Sequence, residues 1–314
     1  MVLRLRAAVN GRNKITLCHL HLMALKSQSA MEYLMTYGWA VLAIAIVIIA
    51  LFQLGVFGGN NLTPHSTSGA CQAVHTAAGS SLAGQCNTGL PKFVAQFNGQ
   101  NSYISFGNAA TLSPEAGSNG QMTICLWYDV LSLTNYHGFL LKGESAPSSG
   151  NAWEYAIGQG NSQMYVVWNS GGSNIAGYGA TLPSVGQWYL SCFTYNYPAS
   201  NAYYYLDGVQ NTVGWSSTSG TASQGTGALV VGAGENGYSN VELADVQVYN
   251  ISLSSNEVSA LYQEGIGGAP IDPAHIVGWW PLNGNAQDYS GDNNNGQAIN
   301  VEYNGTWASE YVQP

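Results

Sequence analysis

The chain has 314 residues, of which only 7% are charged, against roughly 25% in an ordinary soluble protein. A hydrophobic fraction of 46%, with 20 tyrosines and 39 glycines, excludes disorder through want of apolar side chains. Arg4, Arg6, Arg12, Lys14 and Lys26 all precede the first acid, Glu32, which leaves Lys92 and Lys142 against 16 acids (a balance of −14) beyond residue 27 and excludes nucleic acid as a partner.

From Trp39 to Phe57 run nineteen residues, WAVLAIAIVIIALFQLGVF, with Gln53 as their one polar side chain and no charge. At about 1.5 Å per residue this nearly matches the ~30 Å hydrocarbon thickness of a bilayer. The run predicts a membrane helix, with a buried core helix as the alternative. Basic residues precede it and none follows for some thirty residues, so the C-terminal body is expected outside the cell. A secretory signal peptide cut after the run is a second alternative. Against it, the segment Gln28 to Gly38 just before the run carries no base and one acid, Glu32. An acid at the lip of a span needs a partner.

Lys26, Gln28, Glu32-Tyr33-Leu34 and the adjoining apolar run together resemble the class III signal peptide of archaeal type IV pilin-like proteins. The resemblance implies cleavage by a prepilin peptidase between Ser27 and Gln28, with Ser27 where that family has glycine and Ser29 one place early. Residues 1–27 would then be a leader and residues 28–57 a retained transmembrane and filament-core helix. Gln28, Glu32, Tyr33 and Leu34 would be assembly residues. Glu32 would become the fifth residue of the mature chain, and in such filaments this carboxylate is thought to pair with a neighbouring subunit's amino terminus. Pairing would meet the need of a carboxylate in hydrocarbon; a place among the headgroups is the alternative. Identical or related pilin subunits, the peptidase and the membrane are the implied partners. A start at Met23 would give a short leader, making residues 1–22 a misplaced start and leaving Cys18, His19 and His21 without a role.

Residues 58–70 (GGNNLTPHSTSGA) read as a linker in which Pro64 ends any helix. Residues 71–314 then carry short β-rich runs at 93–97, 102–106, 123–130, 138–142, 153–157, 163–168, 188–195, 202–206, 228–233 and 241–249. Asn98-Gly99, Gly171-Gly172 and Asp207-Gly208 between them are hairpin signals. So many strands with little helical pattern predict an all-β jelly-roll sandwich. One helix is expected near 255–264, where Ser254 and Glu257 make a capping box and Gly265 a stop.

The pieces Phe97-Asn98-Gly99, Thr123 to Trp127, Leu141-Lys142-Gly143, Trp188-Tyr189, Tyr205 to Gly208 and Leu243 to Asn250, in that order, resemble the laminin-G-like, concanavalin-type jelly roll over residues 92–303. Trp280 to Asn285 and Asp288 to Gly291 resemble that fold's opening strand and loop, yet they stand at the C-terminus. Two arrangements follow. Either the roll is circularly permuted, with this strand folding back beside the first, or the strand completes a neighbouring subunit's sheet.

Outside the leader, Cys71, Cys86, Cys125 and Cys192 make an even set that reads as two disulfides in an exported protein. Cys71 with Cys86 would close a short loop, and Cys125 and Cys192 lie in strands that could be neighbours; other pairings and free thiols stay open. Gly232 to Gly237 matches G-x-G-x-x-G but leads into another strand, so it reads as a turn. Asp129, Glu154 and Glu235 each stand alone on a strand, whereas glycosidases need two positioned carboxylates; no catalysis is expected. Asp288, Asp292 and Asn294, with Asn293 and Asn295, form an oxygen-rich loop that would suit Ca²⁺ or be a solvated turn. Trp168, Trp215 and Trp307 are sugar-contact candidates, core packing being the alternative. Asn61, Asn250 and Asn304 head N-glycosylation sequons. The reading is a membrane-anchored, outward-facing, pilin-like filament subunit with a jelly-roll head for adhesion or glycan binding. Its rivals are an anchored carbohydrate-binding protein that never polymerises and an anchored polysaccharide-degrading enzyme.

Overall fold

The structure is a computed structural model that describes residues 37–38, 41–47, 90–116, 119–132, 137–143, 153–160, 163–170, 173–181, 184–216, 225–234 and 237–314. The chain divides into two compact units, Met1–Thr63 and Pro64–Pro314. In the first unit, residues 37–38 and 41–47 are helical, and Val41, Leu42, Ile44, Ile46 and Val47 are each more than half exposed. Among the described residues no helix is long and apolar enough to cross a membrane; most of the run from Trp39 to Phe57 lies outside them.

The second unit is a two-sheet sandwich. Its strands are β1 (Val94–Asn98), β2 (Tyr103–Ser105), β3 (Gln121–Val130), β4 (His137–Gly143), β5 (Trp153–Gly160), β6 (Gln163–Ser170), β7 (Ser173–Thr181), β8 (Trp188–Asn196) and β9 (Asn201–Leu206). They continue as β10 (Val209–Asn211), β11 (Gly214–Trp215), β12 (Leu229–Val231), β13 (Ala233–Gly234), β14 (Gly237–Tyr238), β15 (Asn240–Tyr249), β16 (Ile276–Trp280), β17 (Gln297–Ile299) and β18 (Glu302–Asn304). One sheet runs β10-β9-β8-β3-β15-β1-β18, with β16 also on β15; the other runs β11-β7-β6-β5-β4-β12-β2-β17.

Side-chain alternation along β3 explains the layering. Ile124, Leu126 and Tyr128 point between the sheets, toward Leu140, Ile157, Val166 and Phe193. Cys125 and Trp127 point to the opposite face, toward Trp188, Leu190 and Trp307. Successive side chains of a strand face opposite ways, and a strand covered on both sides reads as a nearly continuous apolar run. The outer cover is helix α1 (Ser255–Glu264) together with the C-terminal segment. Ser254 accepts from the Glu257 amide and Glu257 accepts from Ser254 N–H, the expected capping box, and Gly265 stops the helix at φ 76°. Val258 and Leu261 bury the inner face of α1, each contributing roughly 1.5–3 kcal/mol of apolar burial. Tyr262 stacks on Trp127 at 5.7 Å.

The last strands of the sandwich pair with its first two. β18 pairs with β1 (Val94 opposite Asn304) and β17 with β2 (Ile104 opposite Ala298). The strand expected beside the first lies elsewhere in the same sheet: β16 pairs with the second half of β15, Val246 opposite Trp280, while β1 takes the first half. A bulge at Asp245, at φ 49°, separates the two halves and turns the strand enough to serve both neighbours.

Candidate functional site

At one side of the sandwich the chain leaves edge strand β10 of one sheet and enters edge strand β11 of the other. The crossover forms a cleft of about 290 Å³ whose wall includes Asn201, Tyr203, Gln210, Asn211, Thr212 and Trp215, with no charged side chain in the lining. Trp215 lies against Gly177 of β7, where a Cβ would meet its ring at 2.2 Å. The indole also packs edge-on to Trp168 at 5.4 Å and lies 6.0 Å from Phe193. One side of the ring is therefore fixed by the core and the residue is only half-buried. A pre-set aromatic wall beside three amide side chains, which both donate and accept, can hold a small polyhydroxylated molecule without ordering new groups.

The other two tryptophan candidates are placed differently. Trp168 is fully buried between the sheets, on the inward parity of β6 with Met164 and Val166. Trp307 is buried in the outer layer, donating Nε1–H to Pro91 O and meeting Trp188 edge-on. Neither can reach a sugar, because each is buried in the apolar layer that it fills.

The oxygen-rich loop is organised by its own amides. Asp288 Oδ1 accepts from the Trp279 and Ser290 N–H groups and Oδ2 from Asn294 N–H, at 2.8–3.0 Å. Asn294 donates to Val277 O and Thr111 Oγ1 and is buried, while Asp292 is exposed. The Asp288 oxygens thus accept amide hydrogens, and among the described residues no group of three or more His, Cys, Asp or Glu side chains is placed to hold a metal. Of the sequons, Asn250 is exposed at the end of β15. Asn304 is half-buried and its Nδ2 donates to Glu242 at 2.6 Å, a bond that an attached glycan would disturb. Asn61 lies outside the described residues, as do Ser27, Gln28, Glu32, Tyr33, Leu34, Cys71 and Cys86. Cys125 and Cys192 face each other on β3 and β8 and are bonded. Gly232 to Gly237 spans β13 and β14, which pair with each other, so no helix follows the glycines.

Two acidic groupings emerge that strand-by-strand reading misses. Lys142 Nζ, fully buried, donates to Glu154 Oε2 at 2.7 Å, Asn108 Oδ1 at 2.6 Å and Gly227 O at 3.1 Å. Glu115 is buried beside this pair; burial above all, then the Glu154 carboxyl, pushes its own carboxyl well above the usual range. On the outer face of the first sheet Asp129 and Glu242 sit directly opposite across β3 and β15, both buried. Burial, reinforced by the charge of Glu310, raises Asp129 to about 7. Asp245, wholly buried, is likewise raised to about 7 by burial, against the hydrogen bonds of Gln247 and Trp279 Nε1.

The raised carboxyls of Asp129 and Asp245 set a pH dependence. Their protonated form is native, so their contribution is complete below the ordinary carboxylate value and is lost as pH rises through about 7. The melting temperature should fall by ~5 °C between pH 5 and pH 8, and Asp129→Asn should flatten that slope; calorimetry across the range measures both.

Residues 98–259, just over half of the chain, match the Laminin_G_3 family, described as the concanavalin A-like lectin/glucanases superfamily. The chain belongs to this superfamily. None of the curated proteins compared matches it. Among solved structures it is similar to a Bacteroides ovatus protein named for carbohydrate binding, at 16% identity and a TM-score of 0.48, covering 74% of this chain and 65% of that one. It is also similar to a heptameric SAP-like pentraxin of Limulus polyphemus, at 17% identity and a TM-score of 0.42, covering 57% of this chain and 85% of the pentraxin. A Trypanosoma rangeli sialidase, solved with sialic acid, aligns at 18% identity and a TM-score of 0.42, over 65% of this chain and 35% of the enzyme. The chain thus spans less than two thirds of the Bacteroides protein and about a third of the sialidase. Within the superfamily fold, the cleft of this chain sits where its two sheets meet at their β10 and β11 edges.

Proposed function

We propose that this protein is a membrane-anchored, pilin-like surface subunit whose jelly-roll head binds glycans. The observation that carries glycan binding is the uncharged cleft with a fixed indole and three amide side chains. Membership of a superfamily described by lectins and glucanases favours the same ligand chemistry. Binding is favoured over hydrolysis because, among the described residues, the carboxyl pairs Glu115–Glu154 and Asp129–Glu242 are buried and out of reach of a substrate, whereas glycosidic cleavage needs two carboxyls flanking the bond.

The anchor reading rests on Lys26, Gln28, Glu32-Tyr33-Leu34 and the apolar run, and on the exposed apolar side chains of helical residues 41–47. A segment apolar on all sides is at home in lipid or among its own copies. Cleavage before Gln28 keeps the helix on the mature chain, as a filament subunit requires. Intact-mass and N-terminal sequencing of the surface protein should therefore give Gln28 as the first residue. A first residue beyond Phe57 would mean a secreted head and would overturn the anchor. Electron microscopy of surface fibres, present in wild type and lost with Glu32→Ala, separates a filament subunit from an anchored protein that never polymerises. Binding by the full-length protein in detergent to a glycan array tests the head.

A further inference from the structure

The inference concerns which glycans the cleft admits, and it rests on the glycan-binding reading above. We propose that the cleft between β10 and β11 takes an uncharged terminal pyranose and discriminates against sialylated, uronic and sulfated glycans.

Anionic ligands need a cation, and this head has almost none to offer. Beyond residue 27 the chain holds two, Lys92 and Lys142. Lys142 is buried and fully committed to Glu154, Asn108 and Gly227. Lys92 precedes β1, which stands five strand positions from β10 in the same sheet, or ~24 Å at the usual strand spacing. Its ammonium lies 5.0 Å from the Phe93 ring. The cleft is therefore beyond the reach of either lysine, and beyond two screening lengths from Lys92 at physiological salt. The remaining charge of the head is acidic and repels anions as they approach.

The lining also matches a neutral ring. Asn201, Gln210 and Asn211 present both donors and acceptors, which suits hydroxyl groups that do the same. Trp215 in the cleft wall is the aromatic group on which the apolar C–H side of a pyranose would pack. At about 290 Å³ the cleft lies near the lower limit of small-molecule sites, the scale of one sugar residue at a chain end. A carboxylate or sulfate placed there would be desolvated with no cation to compensate it.

The test uses full-length protein in detergent, titrated with N-acetyllactosamine, lactose, maltose and a mannobiose, and with sialyllactose, a diuronide and a sulfated disaccharide. Tryptophan fluorescence and calorimetry read the binding. At least one neutral sugar should bind, with an affinity changed less than about twofold between 50 and 300 mM salt, since no charge pairing is involved. The acidic sugars should bind at least tenfold more weakly, and Trp215→Ala should lower the neutral affinity at least tenfold. Because Trp215 also packs on the core, Asn211→Ala and Gln210→Ala serve as variants outside it, each expected to weaken binding about threefold to tenfold with an unchanged melting temperature. Acidic sugars binding as well as neutral ones would overturn the charge selection and leave glycan binding standing. Neutral binding untouched by all three variants would overturn the cleft as its place, again leaving glycan binding intact. No binding to any sugar, on the array or in solution, would overturn both readings.

Discussion

Replacing Lys142 with methionine should lower the stability of the head by about 3–5 kcal/mol, the usual result of removing one partner from a buried ion pair. The ammonium makes three hydrogen bonds and is shielded from water, as is its partner Glu154. Without it, Glu154 Oε2 is left, among the described residues, with the Gly225 N–H at 2.9 Å and a second buried carboxyl at Glu115 beside it. Two acids left in an apolar enclosure must both be neutralised or break the fold locally. Thermal unfolding of the variant should show a melting temperature lower by roughly 10 °C. The double variant Lys142→Met/Glu154→Gln should recover more than half of the loss, because it removes the stranded charge as well as its partner. A single variant as stable as wild type would show that the trio is hydrated and its burial illusory.

The second large effect concerns the disulfide. Cys125 and Cys192 are separated by 67 residues, and the loop they close contains β4 to β7, half of the second sheet. In the chain-entropy account a loop of that length is worth ~4 kcal/mol through the unfolded state. Cys125→Ala with Cys192→Ala should therefore lower the melting temperature by roughly 10 °C. Reductant alone should leave the folded protein unchanged for as long as it stays folded, since both sulfurs are buried in the outer layer. Fast loss of the bond under mild reductant would contradict that placement.

How much of this was legible beforehand follows residue chemistry. Strands such as β3, β8 and β15 are rich in branched and aromatic residues and read directly, as did the Ser254 cap of α1. β7 is hard to read because its sequence, SNIAGYGAT, is mostly small residues; of the two glycines that weaken its strand signal, Gly177 is the one that seats Trp215. β17 and β18 are three residues each and become strands through partners some two hundred positions away. For Trp168 the alternation Met164, Val166, Trp168 was a signal of burial, and it outweighs the general taste of tryptophan for sugars. The lysine–glutamate trio was invisible because Glu115, Lys142 and Glu154 come from a loop and two strands, each charge looking solitary in its own stretch. The cleft was hidden for the same reason: it is made by a crossover between sheets, and only Trp215 of its residues carries a chemical hint alone.

The pairing of β18 with β1 and of β17 with β2 also governs timing. At about 5–20 residues per second of synthesis, the ribosome finishes the last strand tens of seconds after the first. Until then β1 and β2 each present a bare edge, the form of backbone most open to pairing with another molecule. The head is thus a post-translational folder by construction, and whatever keeps nascent copies apart during that interval matters as much to its yield as any contact within it.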